Sequence, residues 1–457
     1  MSATMQKTIK DEERHATLIL SLGTFLEYFD LMLYVHMAVL LNDLFFSKAD
    51  DFSSSILGAF SFCVTFIFRP IGALLIGWLG DTYGRPSTVI LTSFAMSISC
   101  IVMFFLPTYQ QVGIVASWAI TICRIVQGMS SMGERIGAEL YLTELIKPPK
   151  VYPVVASVII FAMVGITCAL GVAKLSLSYG FNWRYAFLVG AIVAVIGIFA
   201  RTTLRETPDF VDAKRNMLNM FTNDFSTDCP KIMTEDSLPK DQKVSKKLAI
   251  SYLFIQIAQP CWFYFTFIHC ANILKYKLGC TAEQIIDQNF IVSIVDLLTG
   301  VCVAYLSYFI FPFKIIKTRL FLFLLYIPFI PYCLNHITTS FELMIFQASI
   351  ILLSPSDSPA APIFYKSFPV LKRFTTSCFT YALSRAAMYV VASFGLVFLT
   401  AKFGNFGVLF LLIPVICIYS WGLYQFINLE NDRGEKIKRA KEDMAIGLTL
   451  RKLTFED

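Results

Sequence analysis

The sequence predicts an all-α membrane protein of twelve transmembrane helices in two six-helix bundles. Three observations lead there. Of 457 residues, 56% are hydrophobic and only 15% charged, a balance that a water-facing surface does not carry. Forty-three Phe residues add apolar bulk suited to lipid. The apolar residues also fall into twelve runs of at least 17 residues, enough to cross about 30 Å of hydrocarbon at about 1.5 Å per residue.

The first six runs are 16–41, 53–79, 87–106, 112–144, 152–178 and 184–203. The start, Met1 to Arg14, is polar, and the run after it is too long for the core of a cleavable signal, so it is expected to be the first span. A long polar break follows, carrying Lys214, Arg215, Lys243, Lys246 and Lys247. The remaining runs are 248–272, 286–311, 319–335, 341–362, 374–401 and 404–427. The expected organisation is a bundle over 1–204, a linker over 205–247, a second bundle over 248–427 and a tail over 428–457. Of the 38 Lys and Arg, 28 fall on one set of alternating segments, including both termini and the linker, and 6 on the other. That asymmetry places both termini and the linker in the cytoplasm. Arg319 belongs to this count as a loop charge, beside Lys314 and Lys317.

Arg69, Arg124, Arg135 and Arg385 remain within the spans. An ionisable group in a bilayer helix costs about 2.5–3.5 kcal/mol on insertion scales, so each requires a partner or a wet cavity. Glu27, Asp30 and Tyr34 are spaced three and four apart, hence on one face of the first span. A carboxylate there can load and release a proton, with Arg69 and Arg124 as expected partners of Glu27 and Asp30. The alternative is a fixed ion pair holding three helices together. Arg124 and Gln127 share a face, and a guanidinium there can grip a carboxylate in a bidentate manner.

The seventh run carries Gln256, Gln259, Pro260, Trp262 and Tyr264, and a mid-span proline frees backbone groups for a cavity to use. Trp262, with Tyr28 and Tyr34, can hold a quaternary ammonium over aromatic faces; membrane-interface anchoring is the other reading of Trp262. Pro355, Pro359 and Pro362 are expected to kink the tenth span, and Asp296, Asp357 and Arg385 have no spacing that assigns partners. Glu134 is expected at an inner gate with Arg135 or a loop residue, and Glu144 reads as a helix-end charge.

Between the second and third spans the chain reads Gly77-Trp78-Leu79-Gly80-Asp81-Thr82-Tyr83-Gly84-Arg85. Glycines let helix ends approach closely, and Asp81 and Arg85 can make charge-assisted contacts that close a gate. This loop resembles the signature of the major facilitator superfamily. Further segments resemble its metabolite:proton symporter branch: Gly23 to Asp30, Arg69-Pro70-Ile71-Gly72, Arg124 to Gly128 with Gly133-Glu134, and Leu204-Arg205-Glu206-Thr207-Pro208-Asp209-Phe210. In the second half, Phe368-Pro369 through Arg373, with Ser377 and Tyr381, continues the likeness; Thr82, Lys366 and Ala382 depart from the branch's pattern.

The resemblance implies the major facilitator fold and a secondary active transporter that takes up a small organic solute with protons by alternating access. It implies a bacterial plasma (inner) membrane, a monomer in the lipid bilayer, and proline- or betaine-like substrates. Mixed cavity charge favours a zwitterion, a mono-, di- or tricarboxylate is the alternative, and a solute receptor that does not transport is the reading of another class. No GxxxxGK[ST] loop, CxxC pair or metal-ligand spacing occurs, so no cofactor, metal or enzyme activity is expected. The net charge of +6 is spread between spans, which argues against nucleic acid.

Overall fold

The computed structural model describes residues 3–36, 41, 44–45, 65–179, 182, 184–185, 187–188, 190–192, 195, 202, 206–207, 209–215 and 244–453. Among these residues every regular element is a helix. In chain order they are α1 (Ala3–His36), α2 (Arg69–Thr82), α3 (Arg85–Phe105), α4 (Ile114–Leu145), α5 (Val151–Tyr179) and α6 (Lys246–Phe263). Then follow α7 (Ala282–Phe309), α8 (Pro312–Tyr326), α9 (Ser340–Leu353), α10 (Ala361–Lys366), α11 (Val370–Phe403) and α12 (Gly407–Leu453). A helix satisfies its own backbone within one segment, which is why lipid selects it.

Seven helical stretches among the described residues are long and apolar enough to cross a membrane, the last running from Val370 to Asp432 through both α11 and α12. The expected runs at 319–335 and 341–362 are helical but broken. α8 passes through a 3-10 turn at Ile327–Phe329 into Ile330–His336, and α9 stops before Ser354. Pro355 accounts for the second break, because the residue before a proline is driven out of the α region, and Ser354 has ψ 137. The run 53–79 is described only from 65, and most of 184–203 and of the linker 205–247 lies outside the described residues.

Large apolar side chains stay exposed along the outer faces, among them Leu298, Tyr305, Phe394 and Phe398. In water these would be adhesive patches; against lipid they are the expected covering. Inside, α1 packs on α5, α2 and α4 on α11, α5 on α7, and α6 on α11 and α12. The helices before residue 180 therefore meet those after 244 along two seams, α2–α11 and α5–α7.

The α1–α5 approach depends on Gly165. A Cβ there would lie 2.4 Å from the Phe25 carbonyl oxygen and 3.0 Å from the Phe29 nitrogen, both backbone atoms that cannot rotate away. Gly165→Leu is accordingly expected to destabilise the protein by at least the 1–3 kcal/mol typical of overpacking, seen as a lowered melting temperature in detergent. An unchanged melting temperature would show that α1 and α5 can separate freely.

Candidate functional site

At one end of the α2–α11 seam, charged side chains from five segments interlock. Arg85, at the start of α3 and fully buried, donates to the Gly80 carbonyl (2.7 Å), Asp81 Oδ1 (3.2 Å), Glu144 Oε1 (3.2 Å) and the Val370 carbonyl (2.9 Å). Asp81 accepts from the backbone N–H groups of Phe374 (3.2 Å) and Thr375 (2.8 Å) and from the Thr375 hydroxyl (2.6 Å). The last turn of α2 thus grips the first turns of α11.

Glu144 is the centre of this knot. Its Oε1 also takes Arg373 Nη1 at 2.9 Å, and its Oε2 accepts the Thr207 hydroxyl at 2.6 Å. The sequence reading of Glu144 as a helix-end charge is corrected here: its side chain is wholly buried, held by two guanidiniums from opposite halves of the chain. The segment beginning at Glu206 closes the knot from outside. Glu206 accepts the Arg85 N–H, Phe210 lies under the Arg85 guanidinium at 4.7 Å, and Asp209 stands 3.8 Å from Arg373. Burial raises the Glu206 carboxyl above its ordinary value, against the lowering effect of the Thr207 and Arg85 N–H groups. Leu204, Arg205 and Pro208 lie outside the described residues.

The glycines of the loop have specific steric reasons. Gly84 has φ +112, and a Cβ there would fall 1.7 Å from Glu206 Oε2. At Gly77 a Cβ would lie 2.6 Å from Thr375 Cα, where the two backbones meet, and at Gly80 2.9 Å from the Phe374 ring, where the α2 backbone meets an α11 side chain.

A second buried network crosses between the halves deeper inside. Arg135 donates to Glu139 Oε1 (3.0 Å) and to the hydroxyls of Tyr28 and Tyr381 (both 2.6 Å), and Tyr365 of α10 donates to Glu139 Oε2. Arg135 therefore takes Glu139 as its carboxylate partner; the side chain of Glu134, its expected companion at the gate, lies outside the described residues.

Above this network lies a cavity of about 110 Å³ between α1, α4 and α5 on one side and α6 to α9 on the other. Its polar lining includes Tyr28, Arg135, Gln259, Trp262, Asp296 and Arg319. The break Ser354–Ser358 between α9 and α10 also faces it. Arg319 is half-buried and donates to the Ile351 carbonyl at 2.8 Å, at the C-terminal end of α9, where a cation complements the helix dipole. The loop assignment of Arg319 is thereby corrected: α8 begins at Pro312 and carries it about 10 Å inward.

Pro260 shapes the α6 wall. Lacking an N–H, it leaves the Gln256 carbonyl without its helical partner, and Arg385 Nη1 donates there at 3.0 Å. Arg385 also reaches Gln256 Oε1 (3.1 Å) and Gln259 Oε1, and lies 3.7 Å from the Tyr381 ring centre. Gln256 in turn donates to Asp357 Oδ2 at 2.6 Å, so the three charges without assigned partners gain them: Arg385 with Gln256 and Gln259, Asp357 with Gln256, and Asp296 facing Arg319. A π-helical turn, Tyr264–His269, follows Pro260, an irregularity often found at working sites.

Of the sequence candidates, Asp30, Tyr34, Arg124 and Gln127 come together, but inside the α1–α3–α4 packing rather than on this cavity. Arg124 acts electrostatically on Asp30, lies 4.2 Å from the centre of the Tyr34 ring and donates to Gln127 (3.1 Å); the Cys100 thiol donates to Asp30 Oδ1 (3.6 Å). Arg69 is buried 4.8 Å from the Phe66 ring centre, and Glu27 is buried in α1. Tyr28, Gln259 and Trp262 do line the cavity. Sequence reasoning missed Glu139, although its spacing of four from Arg135 was a usable signal.

At the far end of the α5–α7 seam, Lys174 Nζ lies 2.8 Å from Asp287 Oδ1, both side chains about two-fifths exposed at 40% and 41%. Lys174 lies 23 residues beyond Val151, where α5 begins just after the Glu144 end of α4, so about 35 Å of helix separates the two closures along α5.

The family model for sugar (and other) transporters matches residues 16–310. The chain belongs to that family, within the major facilitator superfamily, and its fold is the major facilitator fold of a multi-pass integral membrane protein; the family is one of transporters, not enzymes. Among curated relatives, a putative metabolite transport protein of Haemophilus influenzae is 35% identical over 202 residues, 42% of this chain and 44% of that protein. The proline/betaine transporter of Escherichia coli K12 is 34% identical over 205 residues, 43% of this chain and 41% of that protein. The chain thus spans about half the length, or less, of the curated relatives it matches. Among solved structures, the proton:xylose symporter XylE bound to 6-bromo-6-deoxy-D-glucose superposes with a TM-score of 0.70 at 15% identity, covering 91% of this chain and 95% of that one. The human organic anion transporter MFSD10 superposes at 0.62 with 14% identity, covering 91% and 99%. At these identities the likeness is one of fold.

Removing the central carboxylate would leave Arg85 with Asp81 alone and Arg373 with only the partly exposed Asp209 at 3.8 Å; full loss of a buried charge partner costs about 3–5 kcal/mol. Glu144→Gln is therefore expected to loosen the α2–α11 seam and expose Cys378, which lies buried between α4 and α11. The measurement is maleimide labelling of Cys378 in a background with the other cysteines replaced. Labelling no faster than in the parent would mean that the knot does not hold the seam shut.

Proposed function

We propose that the protein is a secondary active transporter that takes up a small zwitterionic solute, such as proline or glycine betaine, together with protons. The observation that carries the reading is the cavity between the two sets of helices, lined by carboxylates, guanidiniums and aromatic rings, with an interlocked charge knot at one end. A cavity at the seam of two bundles is where alternating access requires the solute to sit. The matched relatives include proteins named proline/betaine transporters, which supports the solute class.

In this reading the bundles 1–204 and 248–427 rock about the cavity, joined by the linker 205–247, with both termini and the tail 428–457 in the cytoplasm of a bacterial cell whose plasma membrane holds the protein as a monomer. Gly77, Gly80, Asp81, Gly84, Arg85 and Glu134 form the cytoplasmic gate. Opening it breaks the Arg85–Glu144–Arg373 knot, and a bound solute must offset that loss by its differential affinity for the two states. Asp30 and Glu27 carry the proton: neutralising Asp30 removes the counter-charge of Arg124 and changes how α1 packs on α4. Tyr28, Tyr34, Arg69, Arg124, Gln127, Gln259 and Trp262 remain the sequence-assigned substrate contacts, of which Tyr28, Gln259 and Trp262 face the cavity.

The test is uptake by proteoliposomes under an inward proton gradient, with labelled proline, glycine betaine, 2-oxoglutarate and citrate. Accumulation of a zwitterion that a protonophore abolishes, and that Asp30→Asn lowers at least tenfold, is the expected result. Accumulation of a carboxylate alone would replace the zwitterion, and solute binding without accumulation under any gradient would replace transport with reception.

A further inference from the structure

Asp296 and Arg319 face the cavity from α7 and α8, and nothing in their sequence spacing joins them. Each acts electrostatically on the other, yet they form no ion pair. Asp296 enters no hydrogen bond, and Arg319 commits Nη2 to the Ile351 carbonyl while its buried Nε has no acceptor. The same wall holds two more buried donors without an acceptor, the indole Nε1 of Trp262 and the hydroxyl of Thr266, whose residues are 5% and 1% exposed.

Opposite charges that share a cavity without touching attract each other, and each lacks a counter-charge in contact until something bridges them. A solute with one charge would satisfy one and leave the other. A neutral polar solute would leave both. A solute carrying both charges answers both: its cation meets the carboxylate, and its carboxylate meets the guanidinium and the unpaired N–H and O–H donors. The indole face of Trp262 beside them adds the surface that a quaternary ammonium prefers.

We propose that Asp296 and Arg319 are the two poles of the substrate site, binding the cationic and the carboxylate ends of a zwitterion, with Trp262 and Thr266 lining the same cavity. The assignment rests on the transport reading for its substrate class, and it moves the recognition of charge from Arg69 and Arg124 in the N-terminal helices to the C-terminal ones.

Isothermal titration of the purified full-length protein tests it with three probes of closely related size: glycine betaine, choline, which lacks the carboxylate, and 3,3-dimethylbutyrate, which lacks the positive charge. The wild type is expected to bind glycine betaine at least tenfold more tightly than either analogue. Asp296→Asn is expected to weaken betaine and choline tenfold or more while sparing 3,3-dimethylbutyrate; Arg319→Gln is expected to weaken betaine and 3,3-dimethylbutyrate while sparing choline. Asp296→Glu keeps the charge and should keep most of the affinity. If the variants do not fold, the wild-type ranking decides alone, and equal affinity for betaine and either analogue overturns the proposal. So does betaine binding within twofold of wild type in both folded variants. A wild type that accumulates some solute in vesicles but binds no zwitterion overturns this site and leaves transport standing; one that binds betaine but never accumulates it does the reverse.

Discussion

A single carboxylate, that of Glu144, holds the two halves of this molecule in register. It sits at the end of α4, out of water, and receives Arg85 from one half and Arg373 from the other. Three ions brought into a dry interior would be costly on their own, and the arrangement is stable only because the guanidiniums and the carboxylate are further satisfied by carbonyls and the Thr207 hydroxyl. The tight loop at Gly84, the contact of Gly80 with Phe374 and the seating of Phe210 follow from the need to deliver Arg85 to that point.

Two further charge groups lie deeper, and they differ in kind. The Asp30–Arg124 group is enclosed within the N-terminal helices and surrounded by Tyr34, Gln127 and Cys100. The cavity group is spread over α6, α7, α8 and the α9–α10 break, and its backbone is irregular in two places. Pro260 and Pro355 cause those irregularities, and in each case an arginine takes up a carbonyl nearby: Arg385 at Gln256 and Arg319 at Ile351. The prolines thus create the acceptor positions and the arginines occupy them, which fixes both guanidiniums beside the cavity.

The spans were legible because hydrocarbon thickness imposes a length that apolar runs must meet, and the gate loop because Gly77 to Arg85 is a compact local pattern. The mid-span proline of the seventh run was legible as a source of free backbone groups. What the sequence hid was long-range. Glu144 stands at the end of an apolar run beside loop residues, and nothing local reveals that 206–210 and the start of α11 converge on it. Arg319 shares a stretch with Lys314 and Lys317, and only the starting point of α8 shows that it points inward. The partners of Asp296, Asp357 and Arg385 come from elements up to 129 residues away, beyond the reach of any helical spacing.

The unlike surroundings of the two closures give them unlike lifetimes. Lys174 and Asp287 meet in contact with water, which can replace either partner as they separate, so that clasp forms and breaks quickly and contributes at most about 1 kcal/mol. The Glu144 knot has no such substitute, because its ions must part before water can reach them. One end of the molecule is therefore clasped by a pair that water can replace, and the other by ions that water reaches only after they part.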